Sequence, residues 1–195
     1  MKNNKILIDE EMLQLRIQEL ADKITDDFNG EEITLICILK GSMYFFADLS
    51  RKIKLDTNIE FMRVSSYKGE NTTGNVDIKL NIDNPVTGKN VIIVEDIIDS
   101  GNTLSYLVKY FNKDNPKSIK ICTLLDKPER REVDDVKVDY VGFIIPNRFV
   151  VGYGLDLDEK YRNIPTVNCI TKNEEEEKQV DLDRNNLKLQ LKRRQ

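Results

Sequence analysis

Histidine is absent from this chain of 195 residues, which removes imidazole as general base, nucleophile or metal ligand. Any acid–base chemistry must then rest on carboxylate, lysine, tyrosine or the substrate itself. Cysteine is scarce: Cys37, Cys122 and Cys169 are odd in number and widely separated, with no C-x-x-C. A disulfide framework and a zinc site are therefore not expected, and the three are read as reduced core thiols of a cytoplasmic protein. No apolar run approaches the ~20 residues of a membrane span, and the N-terminus lacks a signal-peptide apolar stretch, so no membrane partner is expected. Excess positive charge is missing too. A net charge of −4 and a pI near 5.1 argue against a nucleic-acid partner, although a small polyanion can still be neutralised by a metal ion and a few local cations. The G-x-x-x-x-G-K-[ST] and G-x-G-x-x-G loops are absent, excluding the nucleotide sites built on those spacings.

What is present centres on residues 91 to 104. Val91-Ile92-Ile93-Val94 is an unbroken branched aliphatic run, suited to a parallel strand buried on both faces. It leads into Glu95 and Asp96, whose side chains would point to opposite faces on a regular strand, so both are expected where the strand emerges from the sheet. Asp99-Ser100-Gly101-Asn102-Thr103 follows with a glycine for close approach, two hydroxyls and the opening amides of a helix, which together make a phosphate cradle. Leu104, Leu107, Val108 and Phe111 supply the apolar stripe of that helix. Each of these residue types also occurs in plain turns; it is the sequence of acids, glycine and hydroxyls that points to a site.

The rest of the chain repeats the strand–loop–helix theme. Asp9 caps a helix over 9–28 whose stripe is Leu13, Ile17, Leu20, Ile24 and Phe28, closed by Asn29-Gly30. A buried strand from Ile33 to Leu39 runs into Lys40-Gly41-Ser42 and a second amphipathic helix through Tyr44, Phe45, Leu49 and Ile53. Such a unit puts Lys40 and the Gly41 amide at the carboxyl edge of the sheet, where open α/β folds bind ligands; a solvated lysine beside a turn glycine serves these residues equally well. Residues 65 to 75, between strands at 59–64 and 76–82, are polar, glycine-bearing and aperiodic, the pattern of a lid or of a long exposed hairpin. Further strands are expected at 119–125 and 138–145. Asp126-Lys127-Pro128 and Phe149-Val150-Val151-Gly152-Tyr153-Gly154-Leu155-Asp156 follow their ends, readable alone as a surface loop and as sheet filling.

Taken together, these motifs resemble those of type I phosphoribosyltransferases, and in detail the hypoxanthine-guanine group, over about residues 5 to 167. The resemblance implies a mostly parallel central sheet flanked by helices, with a flexible lid and a small purine-binding hood. It implies purine salvage: Mg2+-dependent transfer of ribose 5-phosphate from phosphoribosyl pyrophosphate to hypoxanthine or guanine, giving IMP or GMP and pyrophosphate. Glu95 and Asp96 would hold the ribose diol, and Ser100, Gly101, Asn102, Thr103 and Leu104 its phosphate. Lys40, Gly41 and Arg162 would face pyrophosphate, through a peptide bond at Lys40-Gly41 that is often cis in the family. Ser66 and Tyr67 would belong to the lid, and Lys127, Phe149, Val150 and Asp156 to the purine pocket, with Glu95, Asp96 and Asp156 around the metal. Without histidine, Asp99 at the mouth of the phosphate loop is the leading base for the purine proton, a role the resemblance also assigns; it could equally act by charge alone. A homodimer or homotetramer is implied.

Two rival functions follow from the same residues. A phosphoribosyltransferase for xanthine or another base would differ only in pocket geometry. A regulator of this fold that binds RNA would keep the ribose-phosphate loop without Lys127, Phe149 and Asp156 in register, and would show a basic surface. The domain is bounded at residues 1–170. Residues 171 to 195 hold seven basic and six acidic groups, a Glu174 to Glu177 run and few large apolar residues, so a disordered or frayed helical tail is expected.

Overall fold

The computed structural model describes residues 3–66 and 76–192. Residues 67–75 of the expected lid, Tyr67 among them, and the side chain of Ser66 lie outside the described residues, while the backbone at 65 and 66 is strand. The chain begins with strand β1 (Asn3–Ile8), helix α1 (Glu10–Phe28), strand β2 (Ile33–Leu39), helix α2 (Met43–Lys52) and strands β3 (Thr57–Ser66) and β4 (Val76–Leu80). Strand β5 (Asn90–Ile98), helix α3 (Asn102–Asn112), strands β6 (Ser118–Asp126), β7 (Tyr140–Ile144), β8 (Val150–Val151) and β9 (Val167–Thr171), and helix α4 (Glu174–Lys192) complete it.

Among the described residues the strands form two sheets. The larger has the order β4-β3-β2-β5-β6-β7, parallel throughout except for the antiparallel edge strand β4. Its central strands are buried on both faces because alternate residues enter different cores. Leu35, Cys37, Ile92 and Val94 pack with α1 and α2, whereas Ile36, Ile38, Val91 and Ile93 pack with the Leu104, Leu107 and Phe111 stripe of α3. This is the three-layer α/β arrangement that the unbroken aliphatic runs require. Asp9 caps α1 as expected, its Oδ1 accepting from the Met12 amide at 3.0 Å.

The second sheet, β1-β9-β8, is antiparallel. Sequence periodicity had marked none of its strands, since they are short and mix polar with apolar residues. It forms the hood beside the carboxyl edge of the main sheet.

The tail departs from expectation. Residues 174 to 192 form a regular helix docked on β1 and β9, with Val180, Leu187 and Leu191 buried in the main core. Arg184 pairs with Asp9 at 2.6 Å, Asp183 with Arg148 at 2.5 Å, and Asp181 with Lys5 at 3.0 Å. The buried positions 180, 187 and 191 and the half-buried 183 and 184 between them follow a helical stripe. Two of its members are charged, so a count of apolar residues passes it over.

Candidate active site

The carboxyl ends of β2 and β5 and the N-terminus of α3 surround a cleft of about 320 Å³. On one wall, the Lys40-Gly41-Ser42 loop leaves β2. Its Ser42 is buried and donates through Oγ to the Ile38 carbonyl at 2.6 Å, which pins the turn. The cis peptide falls between Leu39 and Lys40, one bond earlier than the Lys40-Gly41 bond that the resemblance implied.

Opposite stand Glu95 and Asp96, both lining the cleft. They were expected where the strand emerges from the sheet; β5 in fact stays paired with β6 as far as Ile98. What ends early is its pairing with β2, whose last partner is Val94, and this parting of the central strands opens space for both acids. Their backbone satisfies part of their charge: Glu95 Oε1 accepts from the Asp96 amide at 3.3 Å, and Asp96 Oδ1 from the Ile97 amide at 2.8 Å. Burial, followed by the neighbouring Asp96 charge, holds the Glu95 carboxyl well above the usual carboxylate range, and burial raises Asp96 as well. A side chain on Gly41 would collide with Asp96 Oδ2, and one on Gly154 with the Gly41 carbonyl. Glycine at both positions thus lets three chain segments meet at the cleft wall.

The loop expected to hold a phosphate turns at its glycine. Gly101 takes a left-handed φ of +86° and the first turn of α3 carries no acidic side chain, leaving the helix dipole open to an anion. Ser100, Gly101, Thr103 and Leu104 line the cleft. Asn102 does not: its amide nitrogen donates to Ser100 Oγ at 3.3 Å and its side chain to Glu132 Oε2 at 3.0 Å, so it shapes the loop from outside. Beneath Gly101 lies Arg131, paired with Asp126 at 2.5 Å and carrying a buried Nη1 without a hydrogen-bond partner.

Asp99 is half exposed at the cleft mouth, 3.5 Å from Arg130 Nε and 3.9 Å from Lys127 Nζ. Burial pushes the Lys127 ammonium below its ordinary range, and Asp99 offsets part of that. Asp156 and Arg162 line the far side. Arg162 donates to the Gly154 carbonyl at 2.7 Å and pairs with Asp156 at 2.8 Å. Glu159 stands between the two predicted pyrophosphate cations, 2.8 Å from Lys40 Nζ and 3.5 Å from Arg162 Nη2. Its carboxylate already occupies the place of an anion. Phe149 and Val150 are not among the residues lining the cleft; Phe149 is 55% exposed and Val150 is buried in β8.

The sequence thus points to most of the polar residues that line the cleft, but not to Glu159, Arg130, Arg131 and Gly154, which do not line it and act on it through lining residues. The arginines carried a faint signal, standing just past Lys127-Pro128-Glu129. Glu159 carried none, because its partner Lys40 is 119 residues away.

Comparison with known proteins agrees with this architecture. The phosphoribosyl transferase domain family matches residues 4–158. A hypoxanthine phosphoribosyltransferase of Buchnera aphidicola is 48% identical over 166 residues, covering 84% of this chain and 93% of that protein. A hypoxanthine-guanine phosphoribosyltransferase of Bacillus subtilis is 46% identical over 168 residues, or 85% of this chain and 92% of its own length. The crystal structure of a hypoxanthine-guanine phosphoribosyltransferase from Bacillus anthracis superimposes with a TM-score of 0.83 at 54% identity, covering 86% of this chain and 98% of that one.

Proposed function

The chain belongs to the phosphoribosyltransferase family, and from that premise we propose that it is a purine-salvage enzyme. It transfers ribose 5-phosphate from phosphoribosyl pyrophosphate to hypoxanthine or guanine, forming IMP or GMP and releasing pyrophosphate. The observation that carries this reading is the meeting of three unlike features around one cleft: the Glu95 and Asp96 pair, the glycine-opened end of α3, and the Lys40 and Arg162 cations. A ribose bearing a phosphate at one end and a leaving diphosphate at the other asks for that set.

In this reading the α3 amides and the Ser100 and Thr103 hydroxyls hold the 5-phosphate, and the two carboxylates accept from the ribose diol. Lys40 and Arg162 neutralise charge on the departing pyrophosphate as positive charge develops on the sugar. The purine stacks on Phe149, bonds to the Val150 backbone, and receives a donor from Lys127 at its six-position oxygen. Asp99 takes the proton that the attacking ring nitrogen must lose.

A divalent cation fits the donor set, since two half-buried carboxylates whose charged forms are disfavoured gain from a hard cation that prefers oxygen. Glu95, Asp96 and Asp156 would hold Mg2+. Among the described residues no group of three or more such side chains could hold an ion alone, so substrate oxygens and water would complete its shell. When bound, Mg2+ supplies charge neutralisation for the pyrophosphate. A cytoplasmic location accords with the free, buried Cys37, Cys122 and Cys169.

Steady-state turnover of hypoxanthine, guanine, xanthine and a pyrimidine base with phosphoribosyl pyrophosphate, with and without Mg2+, tests the reading. Preference for the first two is expected. Turnover of xanthine or a pyrimidine alone would reassign the base, and binding of phosphoribosyl pyrophosphate without turnover of any base would favour a regulator.

A further inference from the structure

Helix α4 lies where it touches both chain segments that carry the purine contacts. Asp183, on its inner face, pairs through Oδ2 with Arg148 Nε at 2.5 Å, and its Oδ1 accepts from Gln179 at 3.2 Å. Both partners are largely withdrawn from water, with Arg148 23% and Asp183 12% exposed at the side chain. Arg148 is the residue immediately before Phe149. Its amide donates to the Pro146 carbonyl at 2.7 Å, making the tight turn from which β8 starts. On the other flank, Asp183, Leu187 and Gln190 share a cavity of about 260 Å³ with Pro128, Glu129 and Pro146. The turn after Lys127 and the turn before Phe149 are thus both backed by α4. A thiol between them registers the same neighbourhood: burial raises Cys169 to about 11, and the charges of Arg148, Asp183 and Lys127 all act on it.

Among the described residues, strand β8 pairs on one side only, with β9, through Val150 with Cys169 and Val151 with Asn168. The Phe149 carbonyl accepts from the Ile170 amide at 3.3 Å, but the Phe149 ring itself is mostly exposed. The direction of this ring therefore depends on how the 146–148 turn is held, and the Arg148–Asp183 pair ties that turn to the helix.

We propose that Asp183 is a positioning residue for the purine subsite, acting through Arg148 to hold the 146–150 turn so that Phe149 and the Val150 backbone meet the base. The inference rests on the purine reading above. It makes the C-terminal helix part of base recognition, although that helix lies beyond residues 4–158, where the family match falls.

The test is Asp183→Ala in the full chain, since alanine preserves the helix and removes the tether. The expected result is a rise of about tenfold in KM for the purine base, the scale on which losing a part-buried ion pair loosens a binding turn. KM for phosphoribosyl pyrophosphate and kcat at saturating base should stay within about twofold, because α4 touches neither subsite. Asp183→Glu and the exchanged pair Arg148→Asp with Asp183→Arg should each recover most of the loss. Asp181→Asn, which breaks the exposed pair with Lys5 on the same helix, should leave base KM unchanged and so separates positioning from general loosening. Equal base KM in Asp183→Ala and the parent, or a parallel rise in both KM values, would overturn the proposal. If the parent turns over no purine base, the functional reading fails on its own. Hydrogen exchange of amides 147–151 then decides the tether independently: faster exchange in Asp183→Ala or, should that variant not fold, in Arg148→Lys supports it, and unchanged exchange overturns it.

Discussion

Leu187 and Leu189 are two positions apart on α4 and face opposite ways, which makes them a controlled pair. Leu187 is 2% exposed and packed in the main core, whereas Leu189 is 52% exposed. Truncating Leu187 to alanine removes a fully buried side chain. The transfer loss together with the cavity left behind places the cost at about 2–4 kcal/mol, within the range measured for buried leucines. Truncating Leu189 removes little buried surface and improves helix propensity slightly, so its effect should lie within about 0.5 kcal/mol. There is a ceiling on the first value. A terminal helix can detach while the rest stays folded, so the loss seen in global unfolding cannot exceed the free energy with which α4 docks. With Val180, Leu187 and Leu191 buried, each contributing about 1.5–3 kcal/mol by burial, that ceiling is not reached by one substitution. Urea unfolding of Leu187→Ala, Leu189→Ala and the parent, followed by circular dichroism, reads the difference directly. If the two variants unfold at the same midpoint as the parent, α4 is not docked, and the reasoning about Asp183 loses its foundation with it.

Asp99→Asn keeps the shape of the side chain and removes the proton acceptor, so kcat with hypoxanthine should fall ~10²-fold or more while ribose-phosphate affinity is kept; lost binding with normal turnover at saturation would instead make Asp99 a loop-shaping residue. Glu159→Gln frees Lys40 and Arg162 from the carboxylate they share, and KM for phosphoribosyl pyrophosphate should drop about two- to fivefold, with pyrophosphate becoming a stronger product inhibitor; a raised KM would show that Glu159 helps to bind rather than competes. Burial raises the Asp9 carboxyl, but hydrogen bonds from the Met12 amide and Arg184, with the charges of Arg184 and Lys188, together bring it below the ordinary 3.8. Its stabilising contribution is therefore complete above that value and is lost as pH falls through the folded pKa. Asp9→Asn keeps the helix cap, so the gap in melting temperature between it and the parent should be constant above about pH 5 and close below about pH 4; a gap equally wide at both ends would refute the assignment.

The main sheet and most of the cleft were legible in the sequence because local chemistry determines them. Four branched aliphatics in a row can only be satisfied by burial on both faces, and a glycine between hydroxyls at a helix start presents amides wherever it is placed. The helix ends at Asp9 and Asn29 were readable for the same reason, since caps and turns depend on a few adjacent residues.

What only the tertiary structure decided are the pairings between distant segments. The parting of β2 from β5 after Val94 lets Glu95 and Asp96 share one cleft, and no local pattern encodes where two strands stop pairing. Glu159 joins Lys40 across 119 residues, a contact that depends on the hood folding over the sheet edge. The hood strands are too short for periodicity to register, and they exist because β1, β8 and β9 supply one another with hydrogen-bond partners. Helix α4 is the plainest case. Its inward stripe includes Asp183 and Arg184, charges that read as solvated in a linear chain and are drawn half out of water because Arg148 and Asp9 stand opposite them. Composition reports what a side chain would cost alone, and the fold decides whether a partner is there to offset it.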